Sequence, residues 1–324
     1  MQAYTQHSIG TAFIAVITLI TTLFSTGITL AEDTNTQTPT KSKMYCLPAV
    51  LEATDQAFPG FTSSPSARKQ IKMNAVQEKY FDSVTTDTTP AWLNTMRTAK
   101  VLEGKAGSCT EVSDWLATKG FPMKLNGSKA AAGVFDLKLQ WQTHGVAGDI
   151  RIDNQSFATA KMGISSLEGV FTSSSHKKPI FQMKPTDSTW EVFVTEFDGN
   201  INKDEELLLS SMEVLTGLKV NAELGNKFHA VSIPKIDFEK TVDISFLAGM
   251  NSKDFSVDQA LKIVRLKFSE KGMEASSAVV FHTRGMSPAS YEIRSKFLIV
   301  ARLKGFKLPA FVALCDKDSW VKGK

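Results

Sequence analysis

The sequence predicts an α+β fold with large mixed or antiparallel sheets. Apolar residues recur at helical spacing only in short patches across residues 46–128, which read as mostly helical. Across 129–320 the pattern changes to period two, and this part reads as strand-rich. The regular strand–helix–strand repetition of a parallel sheet is absent from both parts. With 324 residues the chain can bury a sizeable core, and residues 46–320 are read as one domain.

Residues 1–31 contain no Lys, Arg, Asp or Glu, and Ala12–Ala31 is almost continuously apolar. A short apolar core ending in a small residue fits a cleaved secretory signal. The stretch is also long enough to span a bilayer as a helix, so an uncleaved anchor is the alternative. Residues 32–45 follow as a polar, Thr-rich leader without periodicity, expected to be disordered. Patches at 46–58 and 68–82 read as helices, with Pro59-Gly60 and Ser63–Ser66 breaking between them. Ser108–Lys119 carries Val112, Trp115 and Leu116 at helical spacing and stops at Gly120.

From Gly133 to Trp141 apolar and polar residues alternate, as in a half-buried strand. Lys161–Phe171, Ile180–Lys184 and Trp190–Phe197 read as further strands. Asp204–Leu218 reads as a helix whose acidic first turn suits the helix dipole. Residues 228–238, 261–269, 296–303 and 309–315 complete the set of expected strands.

Composition narrows the function. A net charge of +4, with Lys and Arg scattered rather than blocked, gives no reason to expect nucleic acid as a partner. Cys46, Cys109 and Cys315 do not form a disulfide framework. Cys46 and Cys109 pairing in a secretory setting, or three isolated thiols, are the two readings, with Cys315 buried behind an apolar strand. Asn126 and Asn154 each open an Asn-x-Ser triplet and are candidate glycosylation acceptors. Asp198–Glu206 has the alternating oxygens of a calcium loop. Lys203 replaces its glycine and Leu209 its bidentate Glu, so a solvated turn is expected and no metal.

The five histidines lie far apart, no Gly-x-Ser-x-Gly elbow or phosphate-binding loop appears, and neither an enzyme nor a cofactor is expected. His229 reads as a core or edge residue of a strand.

Residues 264–286 combine two habits. A strand-like run ending at Phe268 leads to Glu270-Lys271-Gly272, where glycine lets the chain turn. The small-residue series Met273-Glu274-Ala275-Ser276-Ser277-Ala278 follows, then a polar tip, His282-Thr283-Arg284-Gly285-Met286-Ser287-Pro288. As a strand, 273–281 places a mostly apolar row on one face.

This stretch resembles the hinge and reactive-centre loop of the serpins, the serine protease inhibitor family, spanning residues 270–290 here. The resemblance continues through Lys296–Arg302 and Leu308–Ala313, similar to the family's last two strands. Upstream it takes in Phe228–Phe238 and Ile244–Met250. Before residue 105 it lapses. The family's Asn-x-x-x-Ser-Pro signature is missing, Ser64-Pro65 being the nearest fragment, and the helical region is abbreviated.

The resemblance implies a secreted, extracellular, monomeric inhibitor that acts as a suicide substrate, with no stable membrane association once the signal is cleaved. Counting the family's usual loop length from Gly272 sets the scissile bond at Met286-Ser287. Met286 suits a chymotrypsin- or elastase-like serine protease, whereas a cut after Arg284 implies a trypsin-like one. The cut loop then inserts as a strand on the order of 45 Å long from Gly272 to Met286. Two other outcomes are a non-inhibitory binder or carrier, and a degenerate interaction protein whose loop never inserts.

Overall fold

Period two builds most of this molecule, and its strands assemble into sheets whose neighbours are nearly all antiparallel. The computed structural model describes residues 14–22, 42–164, 169–201, 204–273 and 290–323. Its first element is a strand, β1 (Ile14–Thr22), formed by the middle of the apolar stretch read as a signal or an anchor. Strand β2 (Lys43–Cys46) runs directly into helix α1 (Leu47–Ala57). The helix α2 (Pro65–Arg68) is a single turn capped by the Ser64 side chain.

Helix α3 (Ala75–Val84) starts later than the expected 68–82. The reason is local: Asn74 and Gln77 form a reciprocal capping box that fixes its first turn. Neither α4 (Thr89–Thr98) nor β3 (Leu102–Gly107) was foreseen from the sequence; β3 interrupts the mostly helical 46–128, and β2 orders residues 43–45, the end of the leader expected to be disordered. Helix α5 (Cys109–Thr118) opens on a Ser108/Glu111 capping box. It is followed by Gly120 at a φ of +83°, a conformation that glycine adopts without strain.

Strands β4 (Lys129–Leu137), β5 (Leu139–Gln140), β6 (Val146–Ile152) and β7 (Gln155–Gly163) follow. The strand expected over 161–171 is two strands: β7 ends at Gly163, and β8 (Val170–Ser173) begins in a different sheet. Then come β9 (His176–Met183), β10 (Trp190–Glu196), α6 (Asp204–Val214), β11 (Lys219–Val220) and α7 (Ala222–Lys227). Helix α6 thus ends at Val214 rather than Leu218. His229 lies exposed in the bend after α7, one residue before the next strand, so it is not a strand residue. The chain finishes with β12 (Ala230–Pro234), β13 (Ile236–Asp243), β14 (Gln259–Phe268), β15 (Gly272–Met273), β16 (Ser290–Glu292), β17 (Phe297–Leu303) and β18 (Pro309–Cys315).

Five strands form one sheet in the order β13-β14-β1-β4-β3. Seven form a second, β11-β8-β9-β10-β17-β18-β2, and four a third, β16-β12-β7-β6. Strand β15 pairs with β5 alone. Every pair in the five-stranded sheet is antiparallel, so β4 and β14 run in the same direction with β1 reversed between them.

Strand β4 shows why this sheet holds its neighbours. Ala130, Ala132 and Val134 pack with Val112 and Leu116 of α5 on one face. Ala131, Phe135 and Leu137 face the main core, where the Phe135 and Trp190 rings meet at 6.1 Å, joining this sheet to the seven-stranded one. Small side chains let a helix approach each face closely. Gly133 is the extreme case, since a Cβ there would stand 2.4 Å from the Ala49 carbonyl oxygen of α1. Among the described residues no helix is long and apolar enough to cross a membrane.

Candidate functional site

The stretch singled out in the sequence lies at one end of the five-stranded sheet, where β14 hands over to β15. Ser269 N donates to the Gly272 carbonyl at 2.9 Å and Gly272 N returns a bond to Ser269 O at 3.4 Å. Glu270 and Lys271 therefore make the turn, and Gly272 is the first paired residue after it rather than the turning residue itself.

Trp141 locks this turn. Its backbone N–H donates to Lys271 O at 3.2 Å, its indole Nε1 donates to Ser269 O at 2.9 Å, and its ring lies 5.5 Å from that of Phe268. Glu270 is paired with Lys235 at 2.7 Å. Burial works against the charged carboxylate, but the bond from Lys235 and the nearby positive charges hold its pKa below the ordinary value.

Beyond the turn, Gly272 pairs with Gln140 and Met273 with Leu139, antiparallel. Met273 is buried, with 1% of its surface exposed, so its bulk has found a core position. The candidate residues Glu270, Gly272 and Met273 are thus gathered at the top of β4. Glu274, Ala275, Ser276, Ser277, Ala278, Arg284, Gly285, Met286, Ser287 and Pro288 lie outside the described residues.

The chain re-emerges at β16, which pairs in parallel with β12 of the four-stranded sheet. Its anchor is Glu196, a carboxylate that is largely buried at the end of β10. Tyr291 donates its hydroxyl to Glu196 Oε2 at 2.7 Å. Arg294 N, Ser295 N and Ser295 Oγ donate to Oε1 at 3.0, 3.2 and 2.9 Å. Burial opposes ionisation of Glu196, and these four donors together overcome it, keeping its pKa below the usual carboxylate value. The same contact, with burial, pushes the Tyr291 phenol well above its ordinary range.

Between the two stems runs the central line of the five-stranded sheet. Its occupant is β1, paired from Ile14↔Leu137 to Thr22↔Lys129 on one side and from Val16↔Val264 to Thr21↔Gln259 on the other. Sequence reasoning missed this strand. The signal was present in its composition, IAVITLITT, where seven of nine residues are β-branched and none is Gly or Pro. Glu196 and Lys235 were also missed, because each acts across a long sequence separation that no local pattern reveals.

The remaining candidates stand apart from this region. Asn126 is exposed, and Asn154 is exposed in the turn between β6 and β7 with a φ of +64°. All three cysteines are free and buried, so Cys46 and Cys109 are not paired. Burial raises the Cys46 thiol to about 12, which leaves it inert at neutral pH. Among the described residues there is no cluster of His, Cys, Asp and Glu able to hold a metal.

No known family's sequence profile matches this chain, and no curated protein does. Solved structures do. Uncleaved ovalbumin is similar over 85% of this chain and 92% of its own, with a TM-score of 0.54 at 12% identity. Human thyroxine-binding globulin complexed with thyroxine matches over the same shares, with a TM-score of 0.49 at 10% identity. Serpin48 of the insect Tenebrio molitor is similar over 63% of both chains, at 13% identity and a TM-score of 0.41. The chain spans under two thirds of the length of Serpin48 and of the thermophilic serpin Tengpin, 63% and 62% respectively.

The protein therefore has the serpin fold, an α+β architecture with a large antiparallel sheet and a reduced set of helices. The resemblance read in the C-terminal third of the sequence is borne out at the level of the fold.

Proposed function

We propose that the protein is a bait for a serine protease, presenting the segment after Glu270 with Met286-Ser287 as the scissile bond. The observation that carries this reading is the pairing of Gly272 and Met273 with β5. The chain leaving β14 has turned onto β5, which continues β4, so residues after Met273 would extend the same antiparallel ladder once β1 leaves that line. In the proposed reaction the protease serine attacks the Met286 carbonyl carbon. An acyl-enzyme forms, and the Ser287 amine leaves with a proton. Insertion of the severed loop then carries the acyl-enzyme away before water completes hydrolysis. Each new ladder bond favours insertion by about 0.5–1.5 kcal/mol.

A chymotrypsin- or elastase-like enzyme is the partner that Met286 suits; a cut after Arg284 implies a trypsin-like one. The test is incubation with a panel of such proteases followed by a denaturing gel. A covalent band at the summed mass is expected. Complete loop cleavage with no trapped protease from any class, whether or not β1 is displaced, would sink the inhibitory reading.

A second reading is favoured by one specific observation: β1 already fills the central line. A protein kept in that state acts as a non-inhibitory binder or interaction protein, and proteases then cut its loop as an ordinary substrate.

A further inference from the structure

The register of the described strands puts two segments of this chain on one strand position. Strand β15 pairs Met273 with Leu139 in the antiparallel sense. Continuing that pairing down β4, past Lys138, sets position 275 opposite Leu137 and position 283 opposite Lys129. Those are the first and last partners of Ile14 and Thr22 in β1. The nine residues of β1 thus stand where residues 275–283 would pair if the reactive loop extended β15. Both segments run antiparallel to β4 and β14, and a strand position holds one chain at a time.

We infer that Ile14–Thr22 is an internal latch: it competes with the severed reactive loop for the position between β4 and β14. The inference rests on the insertion reading given above, which supplies the competing strand.

Three features favour the latch while it is attached. Its sequence, IAVITLITT, has seven β-branched residues, against three in ASSAVVFHT at 275–283. Its ladder is complete on both sides over Val16–Thr21, so little backbone remains to be satisfied. The intact loop, moreover, is pinned at its far end, where Glu196 holds Tyr291, Arg294 and Ser295, so its residues cannot all follow β15 until a bond is cut.

The position that the two segments share is lined by small residues along β4, with the buried Lys262 of β14 opposite Thr18. Ala131 and Ala132 of β4 and Val264 of β14 are buried beside it, and α1 crosses beneath, pressed onto Gly133. Neither occupant carries an Asp, Glu, Lys or Arg.

The consequence is a switch set at the N-terminus. With residues 14–22 seated, loop cleavage leaves the protein without its fifth central strand from the loop, and the protease turns over. Once the segment is displaced or removed, the same cut is followed by insertion and trapping.

The test uses the full chain and a full-chain Ile17→Pro variant, since proline removes a ladder donor in the middle of β1. Both are clipped in the loop, melted, and run on denaturing gels with protease. The variant is expected to gain roughly 5 °C or more on clipping and to trap protease, while the unaltered chain gains little and traps at least tenfold less. Equal gain and equal trapping in the two proteins would overturn the latch.

Amide exchange on the unaltered chain, which needs no variant to fold, is the second measurement. Slow exchange at residues 16–21 is expected, and exchange as fast as in an unstructured peptide overturns the proposal. Slow exchange with no gain in either protein overturns the insertion reading, and the competition with it, while leaving β1 as a permanent strand. The two failures are therefore distinguishable.

Discussion

At the scale of single residues, buried charges hold the two ends of this structure in place. Glu52 on α1 has a side chain only 3% exposed, and Arg97 of α4 meets it at 2.7 Å while reaching Asp55 at 3.1 Å. Removing one partner of a buried pair leaves the other uncompensated. Arg97 is itself partly exposed and Gln56 still donates to Glu52 at 3.0 Å, so Arg97→Met should lower unfolding stability by about 1–3 kcal/mol, read as a shift of the urea midpoint; an unchanged midpoint would show that water reaches Glu52.

Glu196 makes a different prediction, because its four donors keep its pKa depressed in the folded state. A depressed carboxylate stabilises the fold at pH values above its unfolded pKa, and that contribution disappears as the pH falls through the lower folded value. Glu196→Gln should cost about 2–3 kcal/mol at neutral pH. The loss should begin to shrink as the pH falls below the ordinary Glu value and vanish once the native carboxylate is also protonated. Equal cost at pH 3 and pH 7 would contradict the assignment.

At the scale of elements, what could be read from the sequence depended on how local its cause was. The helix at 109–118, strands β14, β17 and β18 and the α+β class were legible, because periodicity, β-branched runs and breakers act over a few residues. By contrast, 228–238 proved to be β12 and β13 in different sheets, and β16 gave no local signal. Helix α4 was hidden because its buried face, Thr89, Trp92, Leu93 and Met96, begins with a polar residue and carries just three apolar ones. Strand β3 was hidden because its pattern is mostly polar; Leu102 alone is buried along it. Strand β1 was read as a signal or an anchor, since an uncharged apolar run satisfies the membrane and the centre of a sheet equally well. Its β-branched content separates the two only once the flanking strands are known.

The five-stranded sheet also depends on close approach at one position. Gly133→Ala would press a methyl into the Ala49 carbonyl and the Ala53 amide, 2.4 and 2.9 Å from the new carbon. The cost should be about 1–3 kcal/mol, and α1 should loosen from the sheet. Full retention of stability and of amide protection in α1 would show that the helix can shift freely.

At the scale of the whole molecule, the fold places a loop stem, a single central strand position and a second stem on separate sheets. On the proposed reading, cleavage between the stems would free the chain following Met273, and the filled position would decide where it could go. The most direct measurement is a reversible cross-link across the β1–β4 ladder in the full chain. Leu19→Cys with Ala132→Cys, and Ile20→Cys with Ala131→Cys, cover two consecutive opposed pairs, one of which has the closer non-hydrogen-bonded geometry. The account predicts that one pair oxidises to a disulfide, that the oxidised protein neither traps protease nor gains stability on loop cleavage, and that reduction restores the level of the unoxidised chain. Trapping that persists in the fully cross-linked protein would contradict it, because the loop would then be acting without the position that β1 occupies.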